Sequence, residues 1–363
     1  MAAGWNHTCF LRSDGTVVAC GFNESGECDI PPPLVPQHVY IQVSAGYNHT
    51  VLLRKDGSVI AVGQNEYGQC DIPAGEYKWV AAGRFCTVLL RRDGQPVFLG
   101  NGCDNVKLPQ QKKYTQVRAS FDTSSLCTVA LQCAGGTAVI LQLPQPLAGD
   151  LYMCSNQTAG HLSQVCVGTG HEQTGVIVHL RRDGTAFASG SNAYHQCDIP
   201  TLDDGNRYMM VSTSGHHTVL LRLDGTAVAV GFNGYGQCDI PELEEGVRYI
   251  AVLCGGRHTV LLRSDGEAVA FGDNDYGQCG DGRVYTGLCH GGSLWPQPLY
   301  QDCTPCYRMN GIILYLDSVT GANLNGPHDW LRPAEDTESV NGPHSGIRPA
   351  EDTDSLREDN PSL

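Results

Sequence analysis

Tyr40-Ile41-Gln42-Val43-Ser44-Ala45-Gly46, then His49-Thr50-Val51-Leu52-Leu53-Arg54-Lys55-Asp56-Gly57, then Ser58-Val59-Ile60-Ala61-Val62-Gly63, is a set of three short apolar runs separated by glycine. Runs of this length, rich in β-branched residues and bounded by turn formers, predict three strands. Asp56-Gly57 between two of them predicts a tight hairpin, because glycine accepts the positive φ that primed hairpin turns require. The loop that follows, Gln64-Asn65-Glu66-Tyr67-Gly68-Gln69-Cys70-Asp71-Ile72-Pro73, ends in a proline, which cannot donate to a ladder and so stops it.

The same unit recurs along the chain. His7-Thr8 to Asp14-Gly15, Thr87 to Asp93-Gly94, Ile177 to Asp183-Gly184, His217-Thr218 to Asp224-Gly225 and His258-Thr259 to Asp265-Gly266 superpose on it without gaps. A degenerate copy, Thr128 to Gly135, fills the remaining interval and brings the number of copies to seven. The glycine anchors run from Gly15 to Gly266 at a mean spacing of about 42 residues, the period of four-stranded propeller blades. The runs carry strand patterning, which excludes a helical solenoid of similar period. The expected architecture is all-β: a seven-bladed β-propeller over residues 1–282, a cysteine-containing extension over 283–324 and a disordered acidic tail over 325–363.

Of 363 residues, 41% are hydrophobic and 17% charged, enough apolar material for a core. The formal charge of −15 gives no global basic field, so nucleic acid is not expected as a direct ligand. No apolar run is long enough for a spanning helix, which argues against a membrane protein. Seventeen cysteines, an odd number with no charged and apolar leader, point away from a secreted disulfide scaffold and towards a cytoplasmic or nuclear setting.

Gly-x-x-His-Thr, Leu-x-Arg-x-Asp-Gly and Gly-x-Asn-x-x-Gly-Gln, in that order, resemble the regulator of chromosome condensation repeat, whose members form seven-bladed propellers. The resemblance covers residues 1 to about 282, and the Gly68-Gln69-Cys70-Asp71-Ile72-Pro73 ending is closest to bacterial-type relatives. It implies a protein-binding disc. It also implies two alternatives: guanine-nucleotide exchange on a small GTPase, and the substrate-recognition part of a HECT-type ubiquitin ligase. The plant UV-B receptor shares the fold and the Gly4-Trp5-Asn6-His7-Thr8 motif. Its clustered tryptophans correspond here to Tyr47, Arg84 and Arg257, which argues against photoreception.

Chemical motifs are sparse. His7, His49, His217 and His258 occupy equivalent places in different repeats, which predicts packed side chains satisfied by backbone polar groups rather than a converging metal site. Cys28, Cys70, Cys197, Cys238 and Cys279 recur in the same way and are expected to be small packing residues. Cys303-Thr304-Pro305-Cys306 is a single Cys-x-x-Cys pair, short of a zinc set, so no metal and no cofactor are expected. No phosphate loop, nucleophile elbow or His-Glu-x-x-His occurs, so no covalent catalysis is expected.

Repeat 1 begins at Ala3-Gly4 without the Tyr-x-x-Val run of its fellows, and Gly311 to Val319 is the best supplier of a ring-closing strand. From Asn325 the chain carries nine acidic and three basic residues in two tandem 16-residue copies, a composition that does not build a core. Repeats 3 to 5 lose the histidine in favour of Cys86, Cys127 and Val176. Regular blades present one surface repeatedly, so partner recognition is expected in this irregular sector, around Arg84, Phe85, Lys112, Lys113, Tyr114 and Arg118.

Overall fold

The computed structural model divides into two compact units, Met1–Pro333 and Ala334–Leu363. It describes residues 1–103, 106, 108, 112–120, 126–133, 136–144, 152–154, 162–169, 175–203, 205–280, 303–309 and 312–317. All of these lie in the first unit, so the acidic tail lies outside the described residues.

Seven antiparallel sheets follow one another as blades. Blade 1 is Ala2–Ala3, His7–Leu11 and Val17–Gly21; blade 2 is Tyr40–Ala45, His49–Arg54 and Val59–Gly63; blade 3 is Tyr77–Ala82, Cys86–Arg91 and Pro96–Gly100. Blade 4 adds a fourth strand: Tyr114–Ala119, Leu126–Cys133, Ala138–Pro144 and Tyr152–Cys154. Blade 5 is Leu162–Thr169, Gly175–Arg181 and Ala186–Gly190; blade 6 is Tyr208–Thr213, His217–Arg222 and Ala227–Gly231; blade 7 is Tyr249–Cys254, His258–Arg263 and Ala268–Gly272. The protein is a seven-bladed β-propeller.

Seven apolar clusters fill the seven gaps between neighbouring blades. Val51 and Leu53 pack with Val80 and Leu89 of blade 3, whereas Leu52, one residue out of phase, packs with Cys9 of blade 1. Alternate residues of a strand point to opposite faces, and here both faces are covered, so the middle strand reads as a continuous apolar run. Val51, Leu52 and Leu53 are all at most 1% exposed. Met210 of blade 6 packs against the clusters of blades 3 and 4, of blades 7 and 1, and of blades 6 and 7, which places it at the centre of the ring.

Most blades hold three strands rather than the four that the period suggests. After the third strand runs the proline-ended loop, which satisfies itself. Asn65 Oδ1 accepts the Cys70 amide (2.7 Å), its Nδ2 donates to Asp71 (2.7 Å), and Gln69 Oε1 accepts the Tyr67 amide (3.0 Å). Tyr77 of the next blade donates its hydroxyl to the Pro73 carbonyl (3.0 Å), and Tyr40, Tyr208 and Tyr249 repeat this on Pro31, Pro200 and Pro241.

The Asp-Gly hairpins also differ from a two-residue primed turn. Gly15 N–H donates to the Arg12 carbonyl (3.0 Å) and Arg12 N–H to the Thr16 carbonyl (2.8 Å), while only glycine carries positive φ, at 79°. This is a three-residue loop, a type I turn followed by a left-handed glycine. Asp14 Oδ1 ties it down by accepting from the amide and hydroxyl of Thr16. In blade 4 the equivalent glycine is Gly136, whose N–H bonds the Cys133 carbonyl, so the anchor placed at Gly135 shifts by one residue.

The ring closes by direct contact of blades 7 and 1. Met1, Ala3 and Phe10 pack with Ile250, Val260 and Leu262, and Gly256 N–H donates to the Gly4 carbonyl (3.1 Å). Ala3 pairs with Thr8 as Ala45 pairs with Thr50, so the short Ala2–Ala3 strand fills the inner position of blade 1. Ile312–Asp317, the stretch expected to supply that strand, instead pairs antiparallel with Cys303–Met309. Among the described residues, no helix is long and apolar enough to cross a membrane.

Candidate functional site

Each Gly-x-x-His-Thr loop joins the first strand of its blade to the second, and all the loops emerge at one end of the blades. They are stitched together by backbone: Gly256 N–H bonds the Gly4 carbonyl, Trp5 N–H the Gly46 carbonyl (3.0 Å) and Tyr47 N–H the Gly83 carbonyl (3.1 Å). Beneath them runs a second set of links. His7 Nε2 lies 2.9 Å from Thr50 Oγ1, His49 from Thr87 (2.9 Å), His217 from Thr259 (2.9 Å) and His258 from Thr8 (2.8 Å). The threonine hydroxyls of Thr8, Thr50 and Thr259 spend their single hydrogen on the carbonyls of Gln278, Glu27 and Gln237. Each imidazole facing them is therefore the donor, with its proton on Nε2. Burial holds these rings neutral, lowering their pKa values to about 3 for His7 and His217 and about 4 for His49 and His258. The histidines are packed, as expected, but their partner is the threonine of the next blade rather than a backbone group.

Trp5, Tyr47 and Arg84 directly follow the loop glycine in blades 1, 2 and 3, whereas in blades 6 and 7 that place is taken by Gly215 and Gly256, and His216 and Arg257 stand one residue later, next to the loop histidine. These side chains meet. Trp5 stacks on Tyr47 with centroids 5.5 Å apart, faces His216 of blade 6 at 6.0 Å and takes the Arg257 guanidinium at 5.8 Å. A ring that touches blades 2, 6 and 7 at once sits over the centre. Gly256 makes room for it: a Cβ there would meet the indole at 2.5 Å. Arg84 lies over both Tyr47 (5.3 Å) and Phe85 (4.6 Å).

The proline-ended loops extend this surface outward. Tyr67 packs on Phe85 at 5.0 Å, and Tyr235 accepts a hydrogen bond from Arg257 (2.9 Å) and lies 6.0 Å from Phe232. Phe232 meets Tyr194, which returns to His216 at 5.9 Å. Tyr67 and Tyr235 are each 41% exposed and Tyr276, packed on Phe22, is 50% exposed. The result is a continuous aromatic surface with two arginines at its heart, bordered by the exposed acids Glu24, Glu66 and Asp275. Cation–π contacts of this kind contribute about 0.5–2 kcal/mol each and hold the arginines in place before any ligand arrives.

The six residues singled out in the sequence are not brought together. Arg84 and Phe85 belong to this face. Lys112 and Lys113 sit at the opposite end of the blades, on the Asp93-Gly94 turn, where Gln95 donates to the Lys112 carbonyl (3.4 Å). The strand between, Tyr114–Ala119, spans about 17 Å at 3.3 Å per residue. Tyr114 is a core residue, 1% exposed. Arg118 lies near the loop end of that strand but turns inward, its guanidinium 5.8 Å from Trp79, with burial lowering its pKa.

The repeated cysteines behave as packing residues. Cys28, Cys70, Cys197, Cys238 and Cys279 each donate to the carbonyl six residues earlier, at 3.2–3.4 Å, and burial raises their pKa values. Among the described residues no group of three His, Cys, Asp or Glu has the geometry of a metal site; the side chains of Cys303 and Cys306 lie outside the described residues. Sequence reasoning missed Trp5, His216, Tyr235 and Tyr67 as parts of one surface. For Trp5 and His216 the available signal was the pair of residues before the loop histidine, read across repeats rather than within one.

Prp20p from Saccharomyces cerevisiae superposes with a TM-score of 0.58 at 14% identity, covering 77% of this chain and 83% of that one. The CRINKLY ectodomain of the Arabidopsis thaliana receptor kinase ACR4 gives 0.57 at 14% identity, over 75% of this chain and 93% of that one. The entire ectodomain of the Physcomitrella patens receptor kinase CR4 gives 0.55 at 14%, over 75% and 72%. At these identities the likeness is one of fold. No curated protein matches the chain in sequence. Residues 1–27, 40–69 and 249–278 match the family described as "Regulator of chromosome condensation (RCC1) repeat". Those matched stretches lie in blades 1, 2 and 7 of the seven-bladed propeller, so the chain carries regulator of chromosome condensation (RCC1) repeats.

Proposed function

We propose that this protein is a non-catalytic protein-interaction scaffold that engages its partner through the face built on Trp5, Tyr47, Arg84, Phe85, Tyr235 and Arg257. One observation carries this reading: the face concentrates tyrosine, tryptophan and arginine in a rigid, pre-packed array, the residue types that dominate binding energy at protein interfaces. Its arginines are fixed by stacked rings and its tyrosines stand partly exposed, so little side-chain entropy is lost on docking. The rigid seven-blade frame beneath keeps these groups in register.

The test is an affinity capture with the full chain, the parent compared with an Arg84→Glu, Arg257→Glu variant and with a Lys112→Glu, Lys113→Glu variant. The expected result is a partner retained by the lysine variant and lost from the arginine variant. A partner lost only from the lysine variant places recognition at the turn end of the blades and overturns the reading. The identity of the partner decides the finer function. Prp20p, which shares the fold, is described by its binding to Gsp1p and histones. A small GTPase whose nucleotide release the parent chain accelerates would assign exchange activity, and ubiquitin-pathway proteins would assign a ligase recognition subunit.

A further inference from the structure

Blades 3 and 4 meet without the imidazole-to-threonine link seen elsewhere. Where the loops of blades 1, 2, 6 and 7 place histidine, blade 3 has Cys86 and blade 4 has Cys127, and their Sγ atoms lie 2.9 Å apart. Cys86 is 1% exposed and Cys127 is 3% exposed. A Cβ on Gly83 would lie 2.7 Å from the Cys86 sulfur and 2.8 Å from the Cys127 sulfur, so glycine there is what lets both sulfurs occupy one space. Cys28 faces the Phe22 carbonyl and Cys254 the Ser212 carbonyl; Cys127 likewise has the Ser120 carbonyl at 3.5 Å, and the second sulfur beside it is what sets it apart.

We propose that Cys86 and Cys127 form an oxidisable dithiol, converted by hydrogen peroxide into a disulfide that joins blades 3 and 4 beneath the loop carrying Arg84 and Phe85. The two sulfurs play different parts. The hydrogen bond from the Cys86 thiol, helped by the Arg84 amide, holds the Cys127 pKa below the ordinary thiol value despite burial. Cys86, as donor towards Cys103 and Cys127, has its pKa raised and keeps its proton. Cys127 is thus the nucleophile and Cys86 the resolving thiol. The Cys127 thiolate attacks one peroxide oxygen; the O–O bond breaks, and the departing hydroxide takes a proton and leaves as water, giving a sulfenic acid. The Cys86 sulfur then attacks that sulfur, the S–O bond breaks, and the second hydroxide leaves as water with the Cys86 proton. The balance is two thiols and one peroxide to one disulfide and two waters.

Gly83 N–H donates to the Cys86 carbonyl (2.8 Å), so the bond would form directly under the Arg84-Phe85 loop. The proposal rests on the sulfur geometry and stands whether or not the face above binds a protein. It is tested on the full chain, reduced, freed of reductant, treated with hydrogen peroxide at neutral pH, unfolded in an alkylating agent and digested without reduction. Mass spectrometry should find the Phe85–Arg91 peptide joined through Cys86 to a peptide containing Cys127, lighter by two hydrogens than the separate pair. The species should vanish on reduction and be absent from a Cys127→Ser variant. Recovery of Cys86 and Cys127 as separately alkylated or over-oxidised residues, or of a Cys86–Cys103 bond in its place, overturns it. The parent chain alone decides the matter, so a variant that fails to fold costs nothing.

Discussion

Glu27 shows what a single atom changes in a repeated place. The corresponding residues are Gln69, Gln196, Gln237 and Gln278, all fully buried, as is Glu27 itself. Each glutamine accepts the amide two residues earlier through Oε1; Gln196 also donates through Nε2 to the Gly215 carbonyl (2.9 Å), whereas the Nε2 atoms of Gln69, Gln237 and Gln278 are buried without a partner, so what sets Glu27 apart is a buried charge. Glu27 reproduces the first bond, from the Ser25 amide (3.0 Å), but its second oxygen is a buried acceptor without a partner. Burial accordingly raises its pKa. A carboxyl raised above its unfolded value supports folding below that unfolded value and ceases to do so as pH climbs through the folded one. Glu27→Gln should therefore stabilise the protein at pH 7 by about 1 kcal/mol, with the gain fading as pH falls through the raised folded value and gone by about pH 4.5. Urea denaturation of both proteins at the two pH values checks this; an equal or lower midpoint for the variant at pH 7 contradicts it. The glutamate was visible in the sequence as a departure from Gly-Gln, yet its burial was not, because a loop position carries no periodicity from which to infer depth.

The strands and their order were legible because both faces of each middle strand are covered, which writes Val51-Leu52-Leu53 as an uninterrupted apolar run. Turn chemistry was only half legible. Asp-Gly announced a hairpin, but a two-residue and a three-residue loop can share that dipeptide, and Gly135-Gly136 offers two candidates for one left-handed position. The tyrosine that opens most first strands was legible as a pattern and opaque as a function, since its partner is the proline carbonyl of the preceding loop. Tyr249→Phe removes the bond to Pro241 (2.8 Å) and should cost about 1 kcal/mol, leaving a carbonyl short of its donor. Tyr114 provides the contrast: its hydroxyl is buried without a partner, because the loop before blade 4 has no Cys-Asp-Ile-Pro ending. Tyr114→Phe should be neutral or stabilising. Thermal melts of the two variants separate the cases, and equal losses would refute the assignment.

Across the whole molecule the number of blades could be read by counting, whereas the seam could not, because short apolar runs such as Ile312–Asp317 do not declare which strand they will join. The four linked histidines give the ring a common response to acid. Their pKa values fall from 6.5 to about 3 or 4 because of burial, so the unfolded chain binds more protons below pH 6.5. Their stabilising contribution is whole above the unfolded value and is lost as pH falls towards the folded ones. With four sites, the loss approaches about 5 kcal/mol per pH unit where all four would protonate only on unfolding. The melting temperature should begin to drop near pH 6. A flat profile from pH 6.5 to 4.5 would show that these rings are not held neutral together.

The imidazole links run unbroken from blade 6 through blades 7, 1 and 2 to blade 3, and stop there. A closed circle therefore has a direction of wear: it is sewn across the seam where the two ends of the propeller meet and plainly tacked along the arc opposite. Amide hydrogen exchange should follow that circle, slowest in blades 7 and 1 and fastest in blades 4 and 5. The place where the two ends of the propeller meet is then the place where the ring comes apart last.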